Sequence, residues 1–116
     1  MSTEKIFDLE KRSFSVAKDT NIWIKALPKT LSNIEYAKQL IRYSSSVGAN
    51  YIEANESLGK KDFQMHIKIC LKEAKESVYW LKLIIETNKL ENTKEGERII
   101  NEFQELKKIF STILNN

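Results

Sequence analysis

The stretch QLIRYSSSVGANYIEANESLGKKDF, Gln39 to Phe63, decides how this chain folds. It begins as an amphipathic helix and keeps that period while running into Ser44, Ser45, Ser46, Gly48, Ala49 and Asn50. Small residues in a helix let a neighbouring backbone approach closely, and polar groups on an inward face demand partners. The stretch therefore reads as a tight, specified helix–helix contact and not as a linker.

The helical reading extends outward in both directions. The chain has 116 residues, one proline, three glycines and 30% charged residues, a composition rich in helix formers and poor in turn residues. That length suits a single domain over 1–116. Upstream, a helix is predicted over about 6–27. Phe14, Ala17, Ile24 and Leu27 make one stripe, and Leu9, Val16 and Trp23 repeat at seven-residue spacing beside it. Pro28 should end this helix, because its ring disfavours a helical conformation at Leu27.

A second helix is predicted over about 32–57, opened by a capping box of Ser32 and Glu35. Its face reads Ile34, Ala37, Ile41, Ser44, Gly48, Tyr51, Ile52 and Leu58, and Gly59 breaks it. A third spans about 60–88, with Phe63, Ile67, Cys70, Leu71, Ala74, Val78, Leu81 and Ile85 on the 3.6 period and Asn88 as the stop. Asn92 and Glu95 offer a cap for the last helix, about 93–114, which carries Ile99, Phe103, Leu106, Phe110 and Ile113. Four helices with short connections predict an all-α protein, an antiparallel up-and-down four-helix bundle.

No window holds the run of about 18 apolar residues that a membrane span needs, and the N-terminal residues MSTEKIFDLEKRS lack the apolar core of a signal peptide. The lone cysteine, Cys70, has no intramolecular disulfide partner, which suits a reducing compartment. A cytoplasmic protein with no membrane association is expected.

The net charge of +3 is unevenly spread, with seven basic and four acidic residues between positions 59 and 90. Lys61, Lys68, Lys75, Lys82 and Lys89 recur every seven residues along the third helix, and Lys72 lies one turn beyond Lys68. Seven residues is nearly two turns, so these lysines form a ridge that drifts slowly around the helix. Such a ridge is either a solvated face or a track for phosphate backbones, whose binding weakens as salt rises.

Arg42, Ser46, Asn50 and Glu53 share one face of the second helix, and Glu73 and Glu76 lie on the third. They suggest a polar seam in which Arg42 meets a carboxylate and Asn50 bonds across helices, fixing register more than adding stability. The functional alternative is a site for a small polar ligand. Trp23, Ile69 and Trp80 lie off the main apolar stripes and are candidates for an oligomer interface, where aromatics are enriched. His66 and Cys70 are four apart, but no second histidine or cysteine completes a metal site. The pairs Glu53/Glu56 and Glu73/Glu76 lack the E-x-x-H elements of diiron bundles, and no nucleophile elbow or phosphate-binding glycine loop occurs. The residues point away from an enzyme, and no cofactor is expected.

In the second helix Gln39, Leu40, Arg42, Ser46, Val47, Asn50, Glu53 and Ala54 form a set. It continues with Lys61, Asp62, Phe63, then Leu71, Lys72, Glu73, Ala74, Glu76 and Tyr79-Trp80-Leu81. By these residues the chain resembles the 23S rRNA intervening-sequence protein family of bacterial four-helix bundles. Where that family carries serine ahead of the third helix, this chain has Gly59 and Lys60. The resemblance implies a ring-forming homo-oligomer, commonly a pentamer. Some members are encoded within insertions in large-subunit rRNA genes. Related accessory proteins of diversity-generating retroelements associate with a reverse transcriptase and with nucleic acid. It implies no catalytic residue. A non-enzymatic oligomeric bundle whose basic surface engages RNA or DNA is therefore expected, with a protein–protein scaffold as the alternative.

Overall fold

In a computed structural model of the chain, four helices form: α1 (Thr3–Lys25), α2 (Leu31–Asn55), α3 (Lys60–Asn88) and α4 (Lys94–Leu114). The structure describes residues 3–90 and 93–116, with side chains from residue 8 onward. Local chemistry sets each helix end. Ala26 and Leu27 turn back onto Trp23 and Ile24, so α1 stops two residues before Leu27. The Thr30 N–H then donates to Pro28 O at 3.0 Å, which leaves Thr30 extended at the mouth of α2. Its hydroxyl accepts from Asn33 N–H at 3.1 Å. The cap is thus Thr30, and the expected Ser32/Glu35 box does not form, because Ser32 already lies in the first turn.

Gly59 caps α3 with extended backbone and no side-chain bond, and α3 ends at Lys89 in the left-handed region, φ 50°. Thr93 stands at the N-cap of α4, its hydroxyl 3.0 Å from Glu97 Oε1. The expected Asn92 cap falls outside the described residues.

Each helix packs antiparallel against its chain neighbours, most extensively α2 on α3, and α1 closes the square against α4. The bundle measures 44 × 24 × 20 Å. Its long axis matches the roughly 43 Å that a 29-residue helix such as α3 spans. Across the diagonal, Tyr51 of α2 and Phe110 of α4 bring their rings to 6.0 Å. Among the described residues, no helix is long and apolar enough to cross a membrane.

The serine-glycine stretch is where α2 meets α1. A Cβ on Gly48 would lie 3.0 Å from Ser13 Oγ and 3.7 Å from the Ser13 backbone carbon, so only hydrogen fits comfortably. The buried hydroxyls that permit this approach bond within their own helices. Ser13 donates to Leu9 O at 2.7 Å and, further along α1, Thr20 to Val16 O at 2.6 Å. They need no cross-helix partner and leave the contact compact.

This packing chooses between the stripes of α1. Leu9, Ser13, Val16, Thr20 and Trp23 point inward, whereas Phe14 is 71% exposed. On α2 the expected face splits: Ser44 and Tyr51 are buried, together with Leu40, Val47 and Ala54, while Ile34, Ile41 and Ile52 are exposed, as is Leu58 beyond the helix end. The inward sets include small polar residues, which close packing tolerates and hydrophobicity alone does not flag. On α3 and α4 the expected stripes do face the core: Ile67, Cys70, Ala74, Leu81, Ile99, Phe103, Leu106 and Phe110 are buried.

Two polar devices lock the ends and the closing seam. Asn33 and Asn88 exchange amide hydrogen bonds of 2.8 Å each, and they also donate to Pro28 O and Ile84 O. The start of α2 is thereby fixed to the end of α3. Between α1 and α4, Arg12 grips Glu102 with two bonds of 3.0 and 2.7 Å. Arg98 holds Asp19 at 2.7 Å and also pairs with Glu95. Bidentate guanidinium pairs of this kind add direction to a thin apolar contact.

Candidate nucleic-acid interface

The heptad spacing of the lysines along α3, opposite its buried face, places the ridge on the outside of the bundle. Lys61, Lys68, Lys72, Lys75, Lys82 and Lys89 are all exposed. Among the described residues none of the six makes an ion pair. The 28-residue separation of Lys61 and Lys89 spreads the ridge over roughly 42 Å, the full length of the molecule.

The antiparallel packing of α4 adds cations that the sequence reading overlooked. Lys75 shares a 430 Å³ groove with Lys107, Lys108, Ser111 and Thr112. Lysines 32 or more residues apart in the chain thus converge on one spot. The doublet Lys107-Lys108 was the available signal, and only the register of α4 shows what it joins. Further along, Lys82 shares a second groove of 560 Å³ with Glu86 of its own helix and Glu97 of α4, so acidic neighbours dilute the ridge there.

The polar seam lies on the other side of α3, against α2. Asn50 donates to Ser46 O at 3.0 Å, and its Oδ1 sits 3.3 Å from His66 Nδ1. His66 Nε2 lies 3.6 Å from Asp62 Oδ1, an ion pair when the ring is protonated. Arg42 and Glu53 are exposed, and Arg42 forms no ion pair among the described residues. Glu73 and Glu76 are half-buried. Burial raises the pKa of the Glu73 carboxyl above the usual carboxylate range, against the opposing field of Lys72 and, more weakly, Arg42. Glu73 Oε2 is buried without a hydrogen-bond partner.

The three aromatic and apolar candidates separate. Trp23 is 9% exposed and belongs to the core, its ring against Gly96, where an added Cβ would come within 3.1 Å of Cζ2. Ile69 and Trp80 are half-buried on the α2–α3 side, with Trp80 5.9 Å from the Tyr36 ring.

Cys70 and His66 have separate partners. The Cys70 thiol is buried and donates to Val47 O at 3.3 Å, and burial pushes its pKa up to about 12. Among the described residues, no group of three or more His, Cys, Asp or Glu is arranged to hold a metal. The raised thiol pKa carries a stability consequence. The unfolded chain releases the thiol proton from about pH 8.5 upward, while the folded chain retains it to about 12. Stability is full below the lower value and falls as pH rises between the two, by about 1 kcal/mol per unit. In urea titrations from pH 7 to 11, Cys70→Ala is expected to lose stability less steeply than the unsubstituted chain. Equal slopes would refute the assignment.

The family model for the 23S rRNA-intervening sequence protein matches residues 6–112, nearly the whole bundle. The chain belongs to the 23S rRNA-intervening sequence protein family. It is also similar to a crystal structure from Bacteroides thetaiotaomicron, a protein of unknown function from the S23 ribosomal protein family. The two share 30% sequence identity and a TM-score of 0.86, over 97% of this chain and 99% of that one. No curated protein matches. The 23S rRNA-intervening sequence family therefore accounts for the four-helix architecture, and no enzymatic family is indicated.

Proposed function

We propose that the protein is a non-enzymatic, homo-oligomeric bundle that associates with nucleic acid through the α3 lysine ridge and Lys107-Lys108 of α4. The observation that carries this reading is a line of exposed lysines, without ion-pair partners among the described residues, that runs the length of the molecule and broadens where α4 joins it. Repetition around an oligomer multiplies a modest +3 per chain into a strong field. The family name, 23S rRNA-intervening sequence protein, is consistent with an RNA-linked setting.

Binding of this kind is driven by counterion release and weakens with salt, with a logarithmic slope of about −0.9 per phosphate neutralised on duplex. The triple variant Lys68→Glu, Lys75→Glu, Lys82→Glu is expected to weaken retention of structured RNA and duplex DNA by about a hundredfold in low salt. It should also flatten the salt dependence. Filter-binding titrations at two salt concentrations measure both. Unchanged retention would remove the ridge as the contact. A protein–protein scaffold is the second reading, favoured by the exposed apolar side chains Phe14, Ile34, Ile41 and Ile52.

A further inference from the structure

The groove between α3 and α4 that joins Lys75 to Lys107, Lys108 and Ser111 has Leu71 as its apolar member and Thr112 at its rim. Lys107 and Ser111 are half-buried and lie one turn apart, so they stand side by side on the α4 wall. Among the described residues, no acid lines the groove and none of its three lysines makes an ion pair. The nearby acids of the two helices are engaged elsewhere. Glu73 lies in the fields of Glu76 and of Arg42 on α2. Glu102 is gripped by Arg12 of α1, whose field also reaches Glu105. Three cations from two helices are thus left around one space.

Ser111 indicates what that space can hold. Hydroxyls within these helices mostly bond back to their own backbone, as Thr20 does to Val16 O and Ser77 to Glu73 O. Thr112, beside Ser111, donates to Lys108 O at 3.0 Å. The Ser111 hydroxyl makes no such bond among the described residues, so a free donor sits among the ammonium groups. A phosphodiester inside a strand offers a single negative charge. A phosphate monoester carries about −1.5 to −2 at pH 7 and presents three acceptor oxygens. Three cations and an unspent hydroxyl match the monoester better.

We infer that the α3–α4 groove binds the terminal phosphate of a nucleic-acid strand. This rests on the nucleic-acid reading above and names the part of the strand that the groove takes. The Ser111 hydroxyl and the three ammonium groups donate to the terminal oxygens, and Leu71 offers an apolar surface to the end sugar. The strand then follows the ridge toward Lys72 and Lys68, because Glu86 and Glu97 share the groove at Lys82 in the other direction. An internal stretch, which has only diesters, lies along the ridge without filling the groove.

Three single-stranded RNAs of one sequence test this, ending in a 5′-phosphate, in a 3′-phosphate or in hydroxyls at both ends. In filter binding at about pH 7.5, at least one phosphate-ended strand should bind about tenfold more tightly than the hydroxyl-ended one. Ser111→Ala removes a donor and no charge, and should cut that preference to about threefold or less. The hydroxyl-ended strand should bind this variant as before. Thr112→Ala, whose lost hydroxyl was already committed to Lys108 O, should keep the preference. Acidification below the monoester's second pKa of about 6 should shrink it, as the dianion takes up a proton. Lys82→Gln should weaken all three strands alike. Equal affinity for the three strands overturns the inference and leaves the ridge standing. A preference that survives Ser111→Ala, or that Thr112→Ala lowers as much, also overturns it, because added charge alone would then account for the difference. If no strand is retained, the nucleic-acid reading fails and this inference with it.

Discussion

Phe110→Ala is expected to destabilise the bundle by about 3–5 kcal/mol, a fall in melting temperature of roughly 10–25 °C. Phe110 is fully buried and meets Tyr51 at 6.0 Å across the diagonal of the square. The helices that carry these two rings do not pack against each other directly. Removing the ring therefore opens a hole at the centre that no neighbouring backbone can close, and the cavity adds to the lost transfer free energy. A domain of this size has only about 5–15 kcal/mol in total, so the change consumes much of its margin. Urea unfolding of both proteins at one pH measures it. A loss below about 1 kcal/mol would mean that the surrounding side chains collapse into the space.

Gly48→Leu is expected to cost about 2–3 kcal/mol by forcing α1 away from α2. The finer prediction concerns alanine. Gly48→Ala in an exposed helix would gain about 1 kcal/mol from propensity. Here the new Cβ would stand 3.0 Å from Ser13 Oγ, and that hydroxyl is anchored to Leu9 O at 2.7 Å. The gain should vanish. In a Ser13→Ala background the next obstacle is the residue-13 Cβ at 3.4 Å, an ordinary contact, and the gain should return. A double-mutant cycle should report a coupling of about 1 kcal/mol between positions 13 and 48. No coupling would place the contact between α1 and α2 elsewhere.

The two stripes of α1 show where sequence reading stops. Phe14, Ala17, Ile24 and Leu27 are as periodic as Leu9, Val16 and Trp23. Yet Phe14 lies outside and Trp23 inside. What decides is the fit of Ser13 against Gly48 of α2, and a polar residue carries no apolar signal. The expected interface role of Trp23 gives way for the same reason: Gly96, far along the chain, makes room for its ring inside the bundle. The α3 ridge was legible because seven-residue spacing needs no partner to interpret. Its extension to Lys107-Lys108 was not, because it depends on register between two helices.

Periodicity, the scarcity of proline and glycine, and the small-residue stretch from Ser44 to Asn50 determined by themselves that four helices form and that α2 makes a tight contact. Those are local properties, since backbone propensity and side-chain period act within a few turns. Which of two apolar faces turns inward, where Asn33 finds Asn88, and which lysines meet at one groove were decided by tertiary packing. These depend on how four cylinders rotate about their axes to fill a shared interior, and no single helix contains that information.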